Sequence, residues 1–478
     1  MRIFLIIWAG EERGLNQVAL ELQKRSHEIV YWSGYKIHES VPTSLFPSTV
    51  FHEYFDALSG IPAHGIDTAK FDPPGEDLLK HFFENESVLL TMMNKKYEGM
   101  GVSERKHLYY HFLQYWYGVV KRLKPDIIIF PITPHSVYDY VLYSVAKFLK
   151  VKTVLFEYTR VHDRLLVMND FTVGSTHLAA TLEANRAKNF TLSELDQDVQ
   201  AHYRLQTDAT ADATTLDVKQ LVAQFSGAKL VKIKAKAILR SVTDTATLKK
   251  LFAYPFKRWK PNLNKEHLAV QRKADFAQKF VYVPLHFQPE CSTSPMGGAF
   301  ADQLLMIEIL SAALPPDWEI YVKEHPVQWG PRGYNYSEYR YKGFYQALGK
   351  IKSVRLVPLD TDRYALINQA QAVSTVSGTA GWEAILRLKP VLVFGYAWYR
   401  HCPGVYKVDS AVTCREMFKK IEAGFRVTEQ SVLNYLGSFN SASVHGYLDE
   451  YWKGISTISR TENINNILNA LLLEIEQS

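Results

Sequence analysis

Short apolar runs of strand length recur along this chain, separated by stretches with helical spacing, and they form two series. Arg2-Ile-Phe-Leu-Ile-Ile-Trp8 reads as a buried strand, and Leu15 to Lys24 places Leu15, Val18, Ala19 and Leu22 on one helical face. His27 to Trp32 reads as the next strand, with further strands at Ile127 to Pro131 and Thr153 to Phe156 and a helix at Leu108 to Leu123. A second series follows at Phe280 to Pro284, Glu319 to Val322, Val354 to Val357, Ala372 to Val376 and Val391 to Phe394. Helical patterns at Phe300 to Ala313, Tyr364 to Gln369 and Gly381 to Leu388 separate those strands. Such alternation predicts α/β halves with parallel sheets covered on both faces. Two halves imply a cleft, and ligands of such sheets sit at the carboxyl ends of the strands.

With 478 residues, 47% of them hydrophobic, the chain suits two or three domains. The expected division is a first Rossmann-like domain over 1–275, which includes a mainly helical, basic insertion at about 180–275. A second Rossmann-like domain follows over 276–440, and then a C-terminal helical segment over 441–478 whose amphipathic helix Ile464 to Ile475 would pack on either half. The apolar runs fall far short of the roughly 18–20 residues of a membrane span. The apolar start is too short for a signal peptide, and Cys291, Cys402 and Cys414 suggest neither a disulfide framework nor a zinc cluster. A cytoplasmic protein is therefore expected. The net charge of +6 is uneven: Lys229 to Lys273 carries 13 Lys or Arg against two acids, interleaved with aromatics. That segment suits either a solvated helical face or peripheral contact with an anionic inner-membrane surface. No nucleic-acid fold signature accompanies it, so no nucleic-acid partner is expected. The glycine turn at Gly10 and Gly14 lacks the G-x-G-x-x-G dinucleotide fingerprint.

Polar residues gather at three strand ends of the second series. "VPLHFQPECSTSPMGG" (283–298) supplies His286, Gln288 and Glu290, "YVKEHP" (321–326) supplies Lys323 and His325, and "STVSGTAGWEA" (374–384) turns through Ser377-Gly378-Thr379 into a helix. A helix start offers unpaired amides and a partial positive charge, and glycine lets an anion approach. Thr379 or Ser377 as a simple cap is the competing reading. Glu383, one turn into that helix, is placed to reach a ribose hydroxyl. Lys323 supplies a point charge and His325 a hydrogen-bond donor or proton, which together suit a phosphate. Glu290 is a candidate catalytic carboxylate, as base or nucleophile, and His286 either orients it, binds the nucleotide or serves the core. Asp360-Thr361-Asp362 spells a metal-holding Asp-x-Asp, but it precedes a helix where Asp and Thr are ordinary caps, so no metal is expected.

Together, "VPLHFQPE", "GGAFADQ", "YVKEHP", "STVSGTAGWEAI" and "KPVLVFG" resemble the capsule polysaccharide biosynthesis family, which includes transferases of 3-deoxy-manno-octulosonate (Kdo) with a Lys-x-His-Pro motif. The resemblance is strong over about 281–399 and weak over the first 270 residues. It implies a GT-B-like architecture and metal-independent transfer of a sugar from a nucleotide donor, without a separate cofactor and with CMP-linked donors such as CMP-Kdo favoured. Carried over, Lys323 and His325 grip the CMP phosphate and Ser377, Gly378 and Thr379 add contacts, while Glu324 points away or orients Lys323. The Kdo members also have a Gln followed five positions later by Asp. Here Gln288 is followed at that spacing by Thr293, with Glu290 the nearest carboxylate. A glycan or lipid-linked acceptor would meet the first domain. There Glu157, Arg160 and Asp163, in the run Glu157 to Arg164, are either acceptor contacts, with Glu157 or Asp163 as base, or a surface charge cluster. A nucleotide-sugar 2-epimerase and a non-catalytic glycan- or nucleotide-binding assembly protein are the alternatives from other classes.

Overall fold

The computed structural model describes residues 1–8, 14–97, 99–208, 263–288, 290–329, 340–448 and 456–477. The first series forms β1 (Arg2–Leu5), β2 (Glu28–Gly34), β3 (Val50–Glu53), β4 (Ile127–Phe130), β5 (Lys152–Tyr158) and β6 (Arg164–Met168). The second forms β7 (Lys279–Pro284), β8 (Trp318–Lys323), β9 (Val354–Val357), β10 (Ala372–Thr375), β11 (Val391–Val393) and β12 (Val405–Lys407), and β13 (Val444–His445) follows near the end. The first sheet has the order β13-β6-β5-β4-β1-β2-β3 and the second β12-β11-β10-β7-β8-β9. Every pairing in the second sheet is parallel. In the first, only β6 pairs antiparallel, with β5 and β13.

Both sheets are apolar on both faces because helices cover both, and the strand period of two sorts the side chains. Phe4, Ile128 and Phe130 enter one core, Ile3, Leu5, Ile127 and Ile129 the other. In the second sheet Phe280 and Tyr282 face one core and Val281 and Val283 the opposite one. The architecture is thus α/β with two parallel-rich sheets, as expected.

The run Glu157 to Arg164 differs from its expected form as a loop after a strand. Glu157 lies within β5 and Arg164 opens β6, so that only a tight connection separates the two strands. Arg160 and Asp163 turn it with φ of 58° and 56°. Arg164 is buried against Asp196 and Asp198, at 2.6 and 2.7 Å, which is why a charged residue can begin an interior strand.

The C-terminal segment returns to the first half. The strand β13 extends the first sheet, and helix Arg460–Glu476 packs Ile464, Ile467, Leu468 and Leu471 onto Leu15, Val18 and Leu22. Segment 441–478 therefore contributes a strand as well as the expected helix. Within 180–275, helices Thr176–Ala184, Gln197–Thr207 and Leu263–Val270 are described. Most of the basic stretch 229–273 lies outside the described residues, as does Gly10. No described helix is long and apolar enough to cross a membrane.

Candidate active site

In the second sheet the chain runs from β7 outward through β8 to β9, then crosses to β10, β11 and β12 on the other side. The switch point therefore falls between β7 and β10, where crossover connections diverge and leave a crevice. His286 follows β7, Lys323 ends β8 and Ser377 follows β10, so the polar residues of three distant sequence segments meet at neighbouring strand ends.

His286 is buried at the centre. Its Nε2 lies 2.8 Å from Thr375 Oγ1 and its Nδ1 3.2 Å from Ser292 Oγ, and its backbone amide donates to Gln303 at 2.7 Å. Burial drives its pKa down to about 3, and neighbouring His325 and Arg340 add to the shift, so it is a neutral imidazole. Gly378 packs against it: a Cβ there would stand 2.6 Å from His286 Cε1. This close approach explains the glycine, whose φ of −76° any residue could adopt. Gly378 is also the N-cap of helix Thr379–Leu386, and it brings no side chain to the first-turn amides. Ser377, offered by the sequence as a cap, instead donates to the Ser292 carbonyl at 2.7 Å and ties this turn to the loop after β7.

Lys323 is only 8% exposed, and its Nζ donates to the Thr361 carbonyl at 2.6 Å. Burial and then the cation Arg363 lower its pKa, so an anion arriving here would relieve repulsion between two positive groups. His325 is held near pKa 4, burial being the main cause and Glu324 pulling the other way. It is neutral at pH 7, and a neutral imidazole carries one N–H donor. Asp362 accepts from the amides of Tyr364 and Ala365 at 2.7 and 2.8 Å, the helix cap expected from its position. Glu383 is buried, 3.7 Å from Arg363.

Glu324 points into the protein. Its carboxylate meets Arg340 Nε at 2.7 Å and accepts from Tyr345 Oη at 2.5 Å. Arg340 is itself buried and donates to Gln288 Oε1 at 2.7 Å and the His286 carbonyl at 2.9 Å. The Gln288 amide nitrogen donates to Ala301 O at 2.8 Å. Gln288 therefore spends both ends of its side chain inside the protein, bracing the loop. Arg340 and Arg363 were missed in the sequence. Arg340 carries no local signal, being 16 residues from Glu324 and 52 from Gln288. Arg363 was legible as a cation directly after the Asp-x-Asp cap.

The loop after β7 crosses to the first half. Thr91 and Ser294 hydroxyls meet at 2.9 Å, and Cys291 Sγ lies 3.9 Å from the Thr133 carbonyl. Glu290 is exposed on this loop, and its carbonyl accepts from the amides of Thr293 and Ser294. In the first half Glu157 is buried on β5 and accepts from Thr133 Oγ1 at 3.0 Å. Burial raises its pKa to about 7, moderated by that hydrogen bond and by Arg160 and Arg400. Arg400 comes from the second half and donates to the carbonyls of Phe171 and Thr172, both at 2.6 Å. Asp163 lies apart: it accepts from the Thr457 amide and hydroxyl at 2.8 and 3.0 Å and contacts His162 at 3.0 Å. These bonds outweigh its burial and lower its pKa. The structure thus brings His286, Lys323, His325, Ser377, Gly378, Thr379 and Glu383 to the carboxyl ends of the second sheet, whereas Glu157 lies on β5 of the first. It assigns Gln288 and Asp163 interior bracing contacts.

The family model for capsule polysaccharide biosynthesis proteins matches residues 182–421, half of the chain. The chain belongs to this family. The matched span contains the whole second sheet with the ends of β7, β8 and β10, whereas Glu157 and Thr133 lie outside it. A search of curated proteins by sequence returns no match. Among solved structures, the β-Kdo 2,7 transferase of Thermosulfurimonas dismutans KpsC is similar at 12% identity, over 74% of this chain and 88% of that one, with a TM-score of 0.33. The UDP-GlcNAc 2-epimerase of Neisseria meningitidis, bound to UDP-GlcNAc, is similar at 12% identity over the full length of both chains, with a TM-score of 0.24. The UDP-GlcNAc 2-epimerase of Methanocaldococcus jannaschii is similar at 12% identity, over 92% of this chain and 98% of that one, with a TM-score of 0.26.

Proposed function

We propose that this family member is a glycosyltransferase that moves a sugar from a nucleotide donor to a glycan or lipid-linked acceptor during synthesis of a surface polysaccharide. The observation that carries the reading is that Lys323, His325 and Arg363 lie close together at the carboxyl end of an all-parallel sheet in which β10 leads into the helix starting at Thr379. There the donor phosphate receives two cations, an imidazole N–H and a helix start, which stabilise charge on the departing nucleotide. No divalent metal is needed in this reading, because Lys323 and Arg363 provide the countercharge. CMP-linked donors, CMP-Kdo among them, are favoured by the Lys-Glu-His-Pro run. Glu157, facing this site with a pKa near 7, takes the proton of the acceptor hydroxyl. It suits that role better than Glu290, which is exposed, or Asp163, whose carboxylate is held by the C-terminal segment. Peripheral contact with the inner membrane through 229–273 belongs to the same reading and suits a lipid-linked acceptor.

The test is a thermal-shift panel of the full chain with CMP, UDP, GDP and CDP, alongside Lys323→Ala and His325→Ala. A ligand that binds the native state raises Tm. Stabilisation by CMP that both variants lose is the expected result. Stabilisation by UDP or GDP alone removes Kdo as the donor, and no response to any nucleotide in a folded protein overturns the transferase reading.

A further inference from the structure

The same carboxyl edge of the first sheet carries a second feature, at the ends of β2 and β3. Gly34 and Glu53 are the paired last residues of these strands, and Tyr35 and Tyr54 follow them directly. Tyr35 stacks on Tyr54 with ring centroids 3.9 Å apart and planes 28° from parallel. Phe55 stands edge-on to both, at 5.7 and 5.3 Å. Tyr54 is buried, whereas Tyr35 is 44% and Phe55 56% exposed. Lys96 Nζ lies 5.6 Å from both the Tyr54 and the Phe55 ring centroids.

This shelf is held in place from behind. The Glu53 carboxylate accepts from the amides of Lys36 and Ile37, at 3.0 and 2.9 Å, and fixes the turn after Tyr35, in which Lys36 has a φ of 47°. Tyr54 Oη donates to Ser136 Oγ at 3.4 Å. Ser136 belongs to the loop after β4 that also carries Thr133, the partner of Glu157. The shelf and the candidate base are therefore linked along one edge. Glu157 on β5 and Tyr35 after β2 are three strand positions apart, roughly 14 Å at about 4.8 Å per strand.

We propose that Tyr35, Phe55 and Lys96 form a binding subsite for an anionic oligosaccharide, the distal part of an acceptor whose growing end lies at Glu157. This rests on the transferase reading. Exposed, rigidly held aromatic faces bind the apolar faces of pyranose rings at little entropic cost. Lys96 selects chains that bear carboxylates, and the distance to Glu157 suits an extended chain of several sugars.

The experiment is isothermal titration of the full chain with three hexasaccharides: oligosialic acid, unsulfated chondroitin and neutral cellohexaose. Wild type is compared with Tyr35→Ala, Phe55→Ala and Lys96→Met. We expect at least one acidic chain to bind more tightly than cellohexaose, with a loss of about tenfold in each aromatic variant. Lys96→Met should remove the preference for the acidic chain. The substituted aromatics are exposed, so thermal melts like those of wild type will separate lost binding from lost folding. Unchanged glycan affinity in Tyr35→Ala and Phe55→Ala, or no binding of any of the three by wild type, overturns the proposal. So does a concentration-dependent dimer that the aromatic variants abolish, since a second copy would then cover the shelf. Nucleotide stabilisation measured on the same samples keeps the two ideas apart. Glycan binding that depends on the shelf without any nucleotide response sinks the transferase reading alone, and a nucleotide response without glycan binding sinks the subsite alone.

Discussion

At the scale of single residues, burial decides the chemistry. Arg340 and Glu324 form an ion pair with both side chains inaccessible, and Tyr345, Gln288 and the His286 carbonyl complete its bonding. Removing one partner of such a pair leaves the other charge uncompensated, at a cost of about 3–5 kcal/mol. Arg340→Met should therefore lower stability by that order in urea unfolding, and Arg340→Met with Glu324→Met should recover part of it. An additive double variant would show that the two side chains do not act as a pair. Glu157 makes a functional prediction. With its pKa near 7, the fraction ionised rises through neutrality, so transfer from the donor selected by the nucleotide panel should rise with pH between about 6 and 8. Glu157→Gln should flatten that profile and slow transfer by about 10²–10⁴-fold. A variant that keeps the profile would assign the base elsewhere.

At the scale of elements, strand ends and helix starts do what their backbones dictate. β8 stops at Lys323 because Pro326 cannot continue a ladder, and it leaves Lys323 and His325 at the strand's carboxyl end. Periodicity made most elements legible: helix Leu15–Lys24 and strand β9 have the bounds that their spacing predicts. β6 was not legible, because Arg164 reads as surface charge until Asp196 and Asp198 are brought to it. β12 and β13 are only three and two residues long and take their form from the neighbouring strand. The C-terminal helix is a testable case. Ile467 and Leu471 are fully buried against the first half, so Ile467→Ala or Leu471→Ala should each cost about 2–5 kcal/mol. A negligible loss in urea melts would mean that this helix does not belong to the cooperative unit.

For the whole molecule, the buried imidazoles set the response to acid. His202 and His325 are held near pKa 4 and His286 near 3, each mainly by burial, against an ordinary 6.5. Below pH 6.5 the unfolded chain takes up protons that the folded one refuses, so stability falls as pH drops from about 6.5 towards 4. Glu157 acts in the opposite sense between about 7 and 4.5, since its folded form holds a proton that the unfolded chain has released. Three groups outweigh one, and Tm should decline over that window. His202→Gln tests this away from the candidate active site. His202 Nε2 accepts from Trp382 Nε1 at 2.9 Å and joins helix Gln197–Thr207 to the helix that starts at Thr379. The variant should show a shallower decline with pH, and an identical slope would remove this imidazole from the account.

Local pattern was enough to determine the α/β class, the two series of strands, and the clustering of Lys323, His325 and Ser377-Gly378-Thr379 at strand ends, because period and turn chemistry are written in neighbouring residues. Which of the candidate residues turn inward and brace the protein was decided only by tertiary structure. Gln288 and Glu324 turn inward to Arg340, Asp163 is held by Thr457, and Glu157 acquires its raised pKa from burial beside Thr133. Those roles depend on partners far away in sequence and on exclusion of water, and neither is encoded in the spacing of a motif.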